Sequence, residues 1–186
     1  MDAIIRRRLL MLGPLGIAAA GSGVFWALML RMQQGKYDPH ALQSMLVGKP
    51  LPDFTLPGQT PSAGFSNTDV NRGKLPALVN FFASWCIPCV EESSALDELA
   101  RQGVTIWGIA YKDKVAATAG FLTRYGDPYH QVARDADGRT AINFGLYGVP
   151  ETYVVDRTGI VRLRYAGGLS SDSVRDTILP LLRKLG

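Results

Sequence analysis

The chain has 186 residues, 47% of them hydrophobic, with only two cysteines and two histidines and a net charge of +4. That length holds one domain with a full core plus an appendage. Of the 20 basic and 16 acidic residues, Arg6, Arg7, Arg8, Arg31, Lys36 and Asp2 fall in the first 36 positions; residues 37–186 therefore carry fifteen of each sign, and this near-neutral part has neither the bulk charge nor the basic, aromatic-interleaved run of a nucleic-acid binder.

In chain order, residues 1–8 read as a cytoplasmic N-terminus and residues 9–30 as a transmembrane anchor. The run LLMLGPLGIAAAGSGVFWALML has no charge over 22 positions, and a helix of that length crosses a hydrocarbon core of roughly 30 Å. Arg6 to Arg8 precede it, so the positive-inside bias keeps the start in the cytoplasm and exports the remainder of the chain. A cleaved signal peptide ending at Ala18-Ala19-Ala20 is the alternative, but the apolar run continues past those residues and exceeds an h-region of roughly 7 to 15. Residues 31–45 form a polar linker, with a short helix over 39–46, and residues 46–186 form the exported domain.

Within that domain, 52–57 and 64–66 read as short edge strands beside prolines. Residues 75–84 are near-continuously apolar, as in a central strand covered on both faces, with Asn80 as an interruption that must find hydrogen-bond partners in backbone or water. A helix follows Cys89, with Val90, Ser93, Leu96, Leu99 and Ala100 at helical spacing and Gly103 as its stop. Strand 104–111, helix 114–125, strand 130–134 and a helix over 137–144 come next. Residues 152–155 and 160–165 flank Asp156-Arg157-Thr158-Gly159 as a β-hairpin. The last helix begins near Ser171-Asp172, aligns Val174, Ile178, Leu181, Leu182 and Leu185, and should kink at Pro180. The β-α-β-α-β order implies parallel strands joined by right-handed crossovers, with the active edge at their C-terminal ends, where Cys86 falls.

Both cysteines lie in Trp85-Cys86-Ile87-Pro88-Cys89, on a strand-to-helix turn. At that spacing they can cycle between dithiol and disulfide through one helical turn, and the helix N-terminus favours the thiolate of Cys86. A zinc half-site needs a second ligand pair, whereas His40 and His130 each stand alone. A structural disulfide closing so short a loop would stabilise little. Glu92, three residues after Cys89, lies on the same side of the helix, though a solvated acid in the first turn fits the helix dipole equally well. Pro88 suits a helix start and Trp85 would cover the pair, and ordinary packing accounts for either.

The WCIPC segment after Phe81-Phe82-Ala83, with Gly148-Val149-Pro150-Glu151-Thr152 opening the hairpin, resembles the thioredoxin superfamily. Adding Gly108-Ile109-Ala110-Tyr111-Lys112-Asp113, Phe144-Gly145-Leu146-Tyr147 and the single anchor, the chain is similar over residues 46–185 to the membrane-tethered thiol-disulfide reductases of cytochrome c maturation, the CcmG/DsbE family. That resemblance implies an α/β thioredoxin-like fold with a central mixed sheet flanked by helices, and a periplasmic domain tethered to the bacterial inner membrane. It implies reduction of the Cys-X-X-Cys-His disulfide of apocytochrome c, directly or through another maturation thiol protein, before haem attachment. Electrons would return through a membrane donor similar to CcdA or DsbD, with no cofactor beyond the redox-active cysteines. By the same resemblance Cys86 attacks, Cys89 resolves, and Pro150 is a cis-proline that turns the backbone of Val149 toward substrate. Asn80 stands where general thioredoxins carry a buried Asp, so Glu92 or Glu151 is expected to supply the missing carboxylate near the pair. A broader exported reductase, isomerase or oxidase, and a chaperone-like module that presents apocytochrome, are the competing readings.

Overall fold

The computed structural model describes residues 45–58, 63–73 and 76–186, with isolated helical positions at 22, 23, 25–27, 29 and 30. The chain divides into two units, Met1–Leu42 and Gln43–Gly186. The anchor expected over 9–30 and the linker over 31–45 lie outside the described residues but for those isolated positions and Met45. Among the described residues no helix is long and apolar enough to cross a membrane.

The second unit opens with β1 (Thr55–Leu56), β2 (Phe65–Ser66) and α1 (Asn67–Asn71), followed by β3 (Ala77–Phe82), α2 (Ile87–Arg101) and β4 (Thr105–Tyr111). Then come α3 (Val115–Tyr125), β5 (Gln131–Asp135), α4 (Arg139–Asn143), β6 (Glu151–Val155) and β7 (Val161–Ala166). The chain ends in α5 (Ser171–Ser173), a π-helical segment (Val174–Ile178) and α6 (Leu179–Leu185). The main sheet has the order β5-β4-β3-β6-β7. β3, β4 and β5 are parallel, whereas β6 runs antiparallel to both β3 and β7, which makes the sheet mixed. β1 and β2 form a separate antiparallel pair.

β3 is buried at every position, which explains its unbroken apolar run. Its side chains alternate between two cores. Val79 and Phe81 join Phe54, Phe65, Trp107, Phe144 and Tyr153 on one face. Leu78 turns to the other, where Leu96 and Leu99 of α2 meet Ile178 and Leu182 of the C-terminal helices. Phe82 shares that second face with Cys86, Cys89 and Phe121. Asn80 lies between Leu78 and Phe82 in this alternation, so its amide projects toward α2.

Most sequence-derived elements stand within two residues of their expected bounds. One helix, α1, was not anticipated, although its signal is local: Ser66 donates its backbone N–H to Asp69 Oδ2 at 2.9 Å, the reciprocal cap of a Ser-x-x-Asp start. The expected kink at Pro180 takes the form of the π-helical turn just before it, which widens the backbone where proline can neither donate nor tolerate the carbonyl four residues back.

The C-terminal ends of β4 and β5 are held by buried carboxylates. Asp135, fully buried, accepts from the N–H groups of Thr140 (3.2 Å) and Ala141 (2.7 Å) and so caps α4. Asp135→Ala should cost about 3 kcal/mol in urea unfolding, because two enclosed donors lose their acceptor at roughly 1–3 kcal/mol each. A loss below about 1 kcal/mol would show that water replaces the carboxylate there.

Candidate active site

The turn between β3 and α2 delivers both cysteines to the C-terminal edge of the parallel strands. Cys86 is the N-cap of α2, in extended conformation, and its Sγ accepts from the Cys89 backbone N–H at 3.2 Å. Pro88 falls in the first helical turn, where its missing N–H leaves no carbonyl without a donor. The two sulfurs are joined as a disulfide, with the Cα atoms 5.3 Å apart. In the dithiol state the same N–H and the helix N-terminus face whichever charge Cys86 develops.

A partly exposed Cys86 and a more buried Cys89 are what the helix start alone suggests; Cys89 is the more buried at 2% exposure, but Cys86 is buried too, at 4%. Trp85, beside the pair in sequence, is 59% exposed with its ring 6.4 Å from that of Tyr111. The loop before β6 lies against Cys86, where the Val149–Pro150 peptide is cis and the Val149 carbonyl oxygen is 3.4 Å from Cys86 Sγ. That loop is tied behind the disulfide by the Gly167 N–H, which donates to Pro150 O at 2.9 Å.

Asp113 holds the turn from the other side. Its carboxylate accepts from the Ser84 N–H (2.7 Å), the Ser84 hydroxyl (2.9 Å) and the Lys114 N–H (2.8 Å). The segment ending β4 thereby fixes the backbone two residues before Cys86. The Tyr-Lys-Asp segment was visible in the sequence, but nothing local linked it to Ser84, 29 residues earlier.

Glu92 sits one helical turn after Cys89 and is 1% exposed, so the solvated alternative does not hold. Its Oε1 accepts from Asn80 Nδ2 at 3.1 Å and its Oε2 from the Leu169 N–H at 3.0 Å. Asn80 also donates to Thr152 Oγ1 (3.0 Å) and accepts from the Tyr129 hydroxyl (2.8 Å). Backbone and water are therefore not what satisfies this amide; side chains from α2, β6 and the loop before β5 are. No described cation pairs with Glu92. Burial accordingly pushes its carboxyl up to about 7, the Leu169 and Asn80 donors offsetting part of that rise.

Glu151 is not brought to the pair. It lies across from Phe81 on the opposite face of the sheet from Asn80 and Glu92. There Arg164 grips it twice, Nε to Oε2 at 2.7 Å and a terminal nitrogen to Oε1 at 2.6 Å, with both side chains buried. The Tyr153 hydroxyl (2.9 Å) and Tyr147 N–H (3.1 Å) complete its shell, and the guanidinium stacks on the Tyr147 ring, 4.5 Å from its centroid. Glu151 thus fastens the loop that carries Val149. Arg164 escaped the sequence reading, yet the hairpin register alone, with Tyr153 opposite Arg164, makes Glu151 and Arg164 diagonal neighbours on one face. Among the described residues no three His, Cys, Asp or Glu side chains converge to hold a metal ion.

Residues 47–164 match the model of the AhpC/TSA family. The thiol:disulfide interchange protein DsbE of Pasteurella multocida is 42% identical over 161 residues, 87% of this chain and 88% of that protein. Its counterpart in Pseudomonas fluorescens biotype C is 39% identical over 173 residues, 92% of each. The crystal structure of a thio-disulfide isomerase from Thermus thermophilus superposes with a TM-score of 0.61 at 30% identity, covering 75% of this chain and 96% of that one.

The raised Glu92 carboxyl has a signed consequence for stability. The folded protein keeps a proton up to pH about 7 that an unfolded chain releases near 4.5. Stability from this group is therefore whole below pH 4.5 and falls as pH rises to about 7, by on the order of 3 kcal/mol. Urea midpoints at pH 5 and pH 8 should differ by more in the wild type than in Glu92→Gln. Equal differences would mean that Glu92 titrates as an ordinary acid.

Proposed function

We propose a substrate and a direction of electron flow for this chain, which belongs to the AhpC/TSA family and, within it, to the DsbE-type thiol:disulfide interchange proteins. It is a thiol-disulfide oxidoreductase. The observation that carries the proposal is a disulfide at a helix N-terminus with an uncompensated carboxylate buried one turn beneath it. A carboxylate so placed opposes charge on the sulfurs and disfavours the thiolate, which is the opposite of what a strong thiol oxidant needs. It suits a donor of electrons, and the reading is a reductase of the Cys-X-X-Cys-His disulfide of apocytochrome c, or of a maturation thiol protein that serves it.

In the forward direction the Cys86 thiolate attacks one sulfur of the substrate disulfide, and the other substrate sulfur leaves as a thiolate. Cys89 gives its proton to Glu92, and the resulting thiolate attacks Cys86 Sγ in the mixed disulfide. The second substrate thiolate departs, Cys86 and Cys89 are left as the disulfide seen here, and two electrons have passed to the substrate. The Val149 carbonyl beside Cys86 offers an acceptor for the backbone N–H of an extended peptide lying across the pair. Val149 and Pro150 position the substrate, while Trp85 and Ile87, both exposed, extend an apolar border for it. The cycle closes when a membrane carrier similar to CcdA or DsbD reduces the disulfide. We place the domain in the periplasm, tethered to the inner membrane by residues 9–30, on the uncharged span and the arginines before it.

Cys89→Ser removes the resolving thiol and keeps the attacking one. It should accumulate mixed disulfides with apocytochrome c or a maturation thiol protein in the membrane fraction, visible on non-reducing gels and absent from Cys86→Ser. Normal cytochrome c maturation in both single variants would contradict the exchange mechanism and favour a chaperone-like module.

A further inference from the structure

Asn80 poses a problem of orientation. Its amide oxygen and nitrogen are nearly the same size, so shape alone does not decide which one faces Glu92. With the nitrogen toward the carboxylate, an N–H donates and favours the ionised acid; with the oxygen there, two acceptors meet and only a protonated Glu92 is accommodated. Thr152 chooses little between them, because an aliphatic hydroxyl accepts from the amide nitrogen in one orientation and donates to the oxygen in the other about equally well, whereas a phenol is the stronger donor and the weaker acceptor. The second neighbour is Tyr129, whose hydroxyl donates to Asn80 Oδ1 at 2.8 Å, on the side of the amide away from Glu92.

We propose that Tyr129 is a positioning residue for the proton of Glu92: its hydroxyl holds the Asn80 oxygen away and so biases the amide nitrogen toward the carboxylate. The ring is placed for this task by close packing. It stacks on Phe82 with centroids 4.8 Å apart and planes 17° from parallel. Beside both rings β4 carries Gly108, where a Cβ would fall 2.8 Å from two Tyr129 ring atoms and 3.1 Å from Phe82 Cε1. Glycine in a strand interior forgoes side-chain packing, and here the space it leaves is filled by the tyrosine. Burial raises the Tyr129 phenol well above its ordinary value, with Glu92, Asp127 and Asp97 adding to the rise, so the hydroxyl keeps the hydrogen that it donates. Glu92 accepts from Asn80 of β3 and from the Leu169 N–H of the loop after β7, Cys89 stands one turn before it on its own helix, Tyr129 is the titratable group that senses its charge, and no described cation pairs with it. The neutral phenol carries no charge to place on Glu92, and its hydrogen bond runs to Asn80.

That Tyr129 matters to disulfide exchange rests on the proposed role of Glu92 as proton acceptor; that it orients Asn80 does not. The test separates the two. In the full chain in detergent micelles, oxidised so that no thiol titrates, the side-chain carboxyl of labelled glutamate is followed by carbon NMR against pH, with Glu92→Gln identifying the signal. Tyr129→Phe keeps the ring and removes the donor; it should raise the Glu92 midpoint by about 0.5 pH unit or more, the size expected for one lost hydrogen bond relayed through an amide. Gly108→Ala, which displaces the ring, should raise it as well. A smaller rise in Tyr129→Phe, or a fall, overturns the proposal. If the midpoint moves as expected while the pH dependence of substrate reduction does not follow it, the positioning role stands and the part assigned to Glu92 in exchange fails.

Discussion

An ionisable carboxyl enclosed without a cation is the constraint around which this site is built. Full ionisation of such a group is costly, and the protein meets the cost with two neutral donors and a partial retreat to the protonated form. The requirement reaches across the fold. It calls for an amide in the central strand, where every other position is apolar or aromatic, and for a backbone N–H from the loop after β7. It also calls for close approach of that loop to α2: a Cβ on Gly168 would lie 3.2 Å from Pro88 O and 3.9 Å from Glu92 Cβ. The chain around the disulfide is thus arranged as much for the proton as for the sulfurs.

The second acid shows how differently the same group behaves on the other face of one sheet. Glu151 meets a guanidinium in two-point contact, so it serves as a fastener for the loop that carries Val149. Glu92 meets no charge and stays near the point of exchanging its proton. Alternation along β6 separates them: Thr152 turns to Asn80, whereas Glu151 and Tyr153 turn to Arg164. One residue of slip in that strand would exchange the two environments.

Much of this was legible in the sequence because it is carried by local pattern. The unbroken apolar run of β3, the hairpin around Asp156 to Gly159 and the cysteine spacing each announce themselves within ten residues. So did the placement of Glu92 on the side of Cys89, since helical spacing fixes it. Its burial was not legible, because that depends on β3, β6 and the loop at Leu169, 77 residues away. Tyr129 had no sequence signal at all: its partner Asn80 is 49 residues distant, and Gly108 explains its own presence only once the ring is seen against it. The partial exposure that a helix start suggests for Cys86 is lost for a similar reason, since a segment against it arrives from residue 149.

The fold supplies the oxidoreductase with an attacking sulfur at a helix start and a backbone acceptor beside it, and the buried acid couples the pair to a proton. That coupling is the central claim, and the pH dependence of the reduction potential tests it most directly. A thiolate on Cys86, at the start of the helix that carries Glu92, raises the proton affinity of the carboxyl further in the reduced state. Between the two Glu92 midpoints, reduction then takes up an additional proton and the potential falls more steeply with pH. The account predicts that steeper stretch, starting near pH 7, in the wild type and its loss in Glu92→Gln. Parallel curves for the two proteins across that range would contradict it.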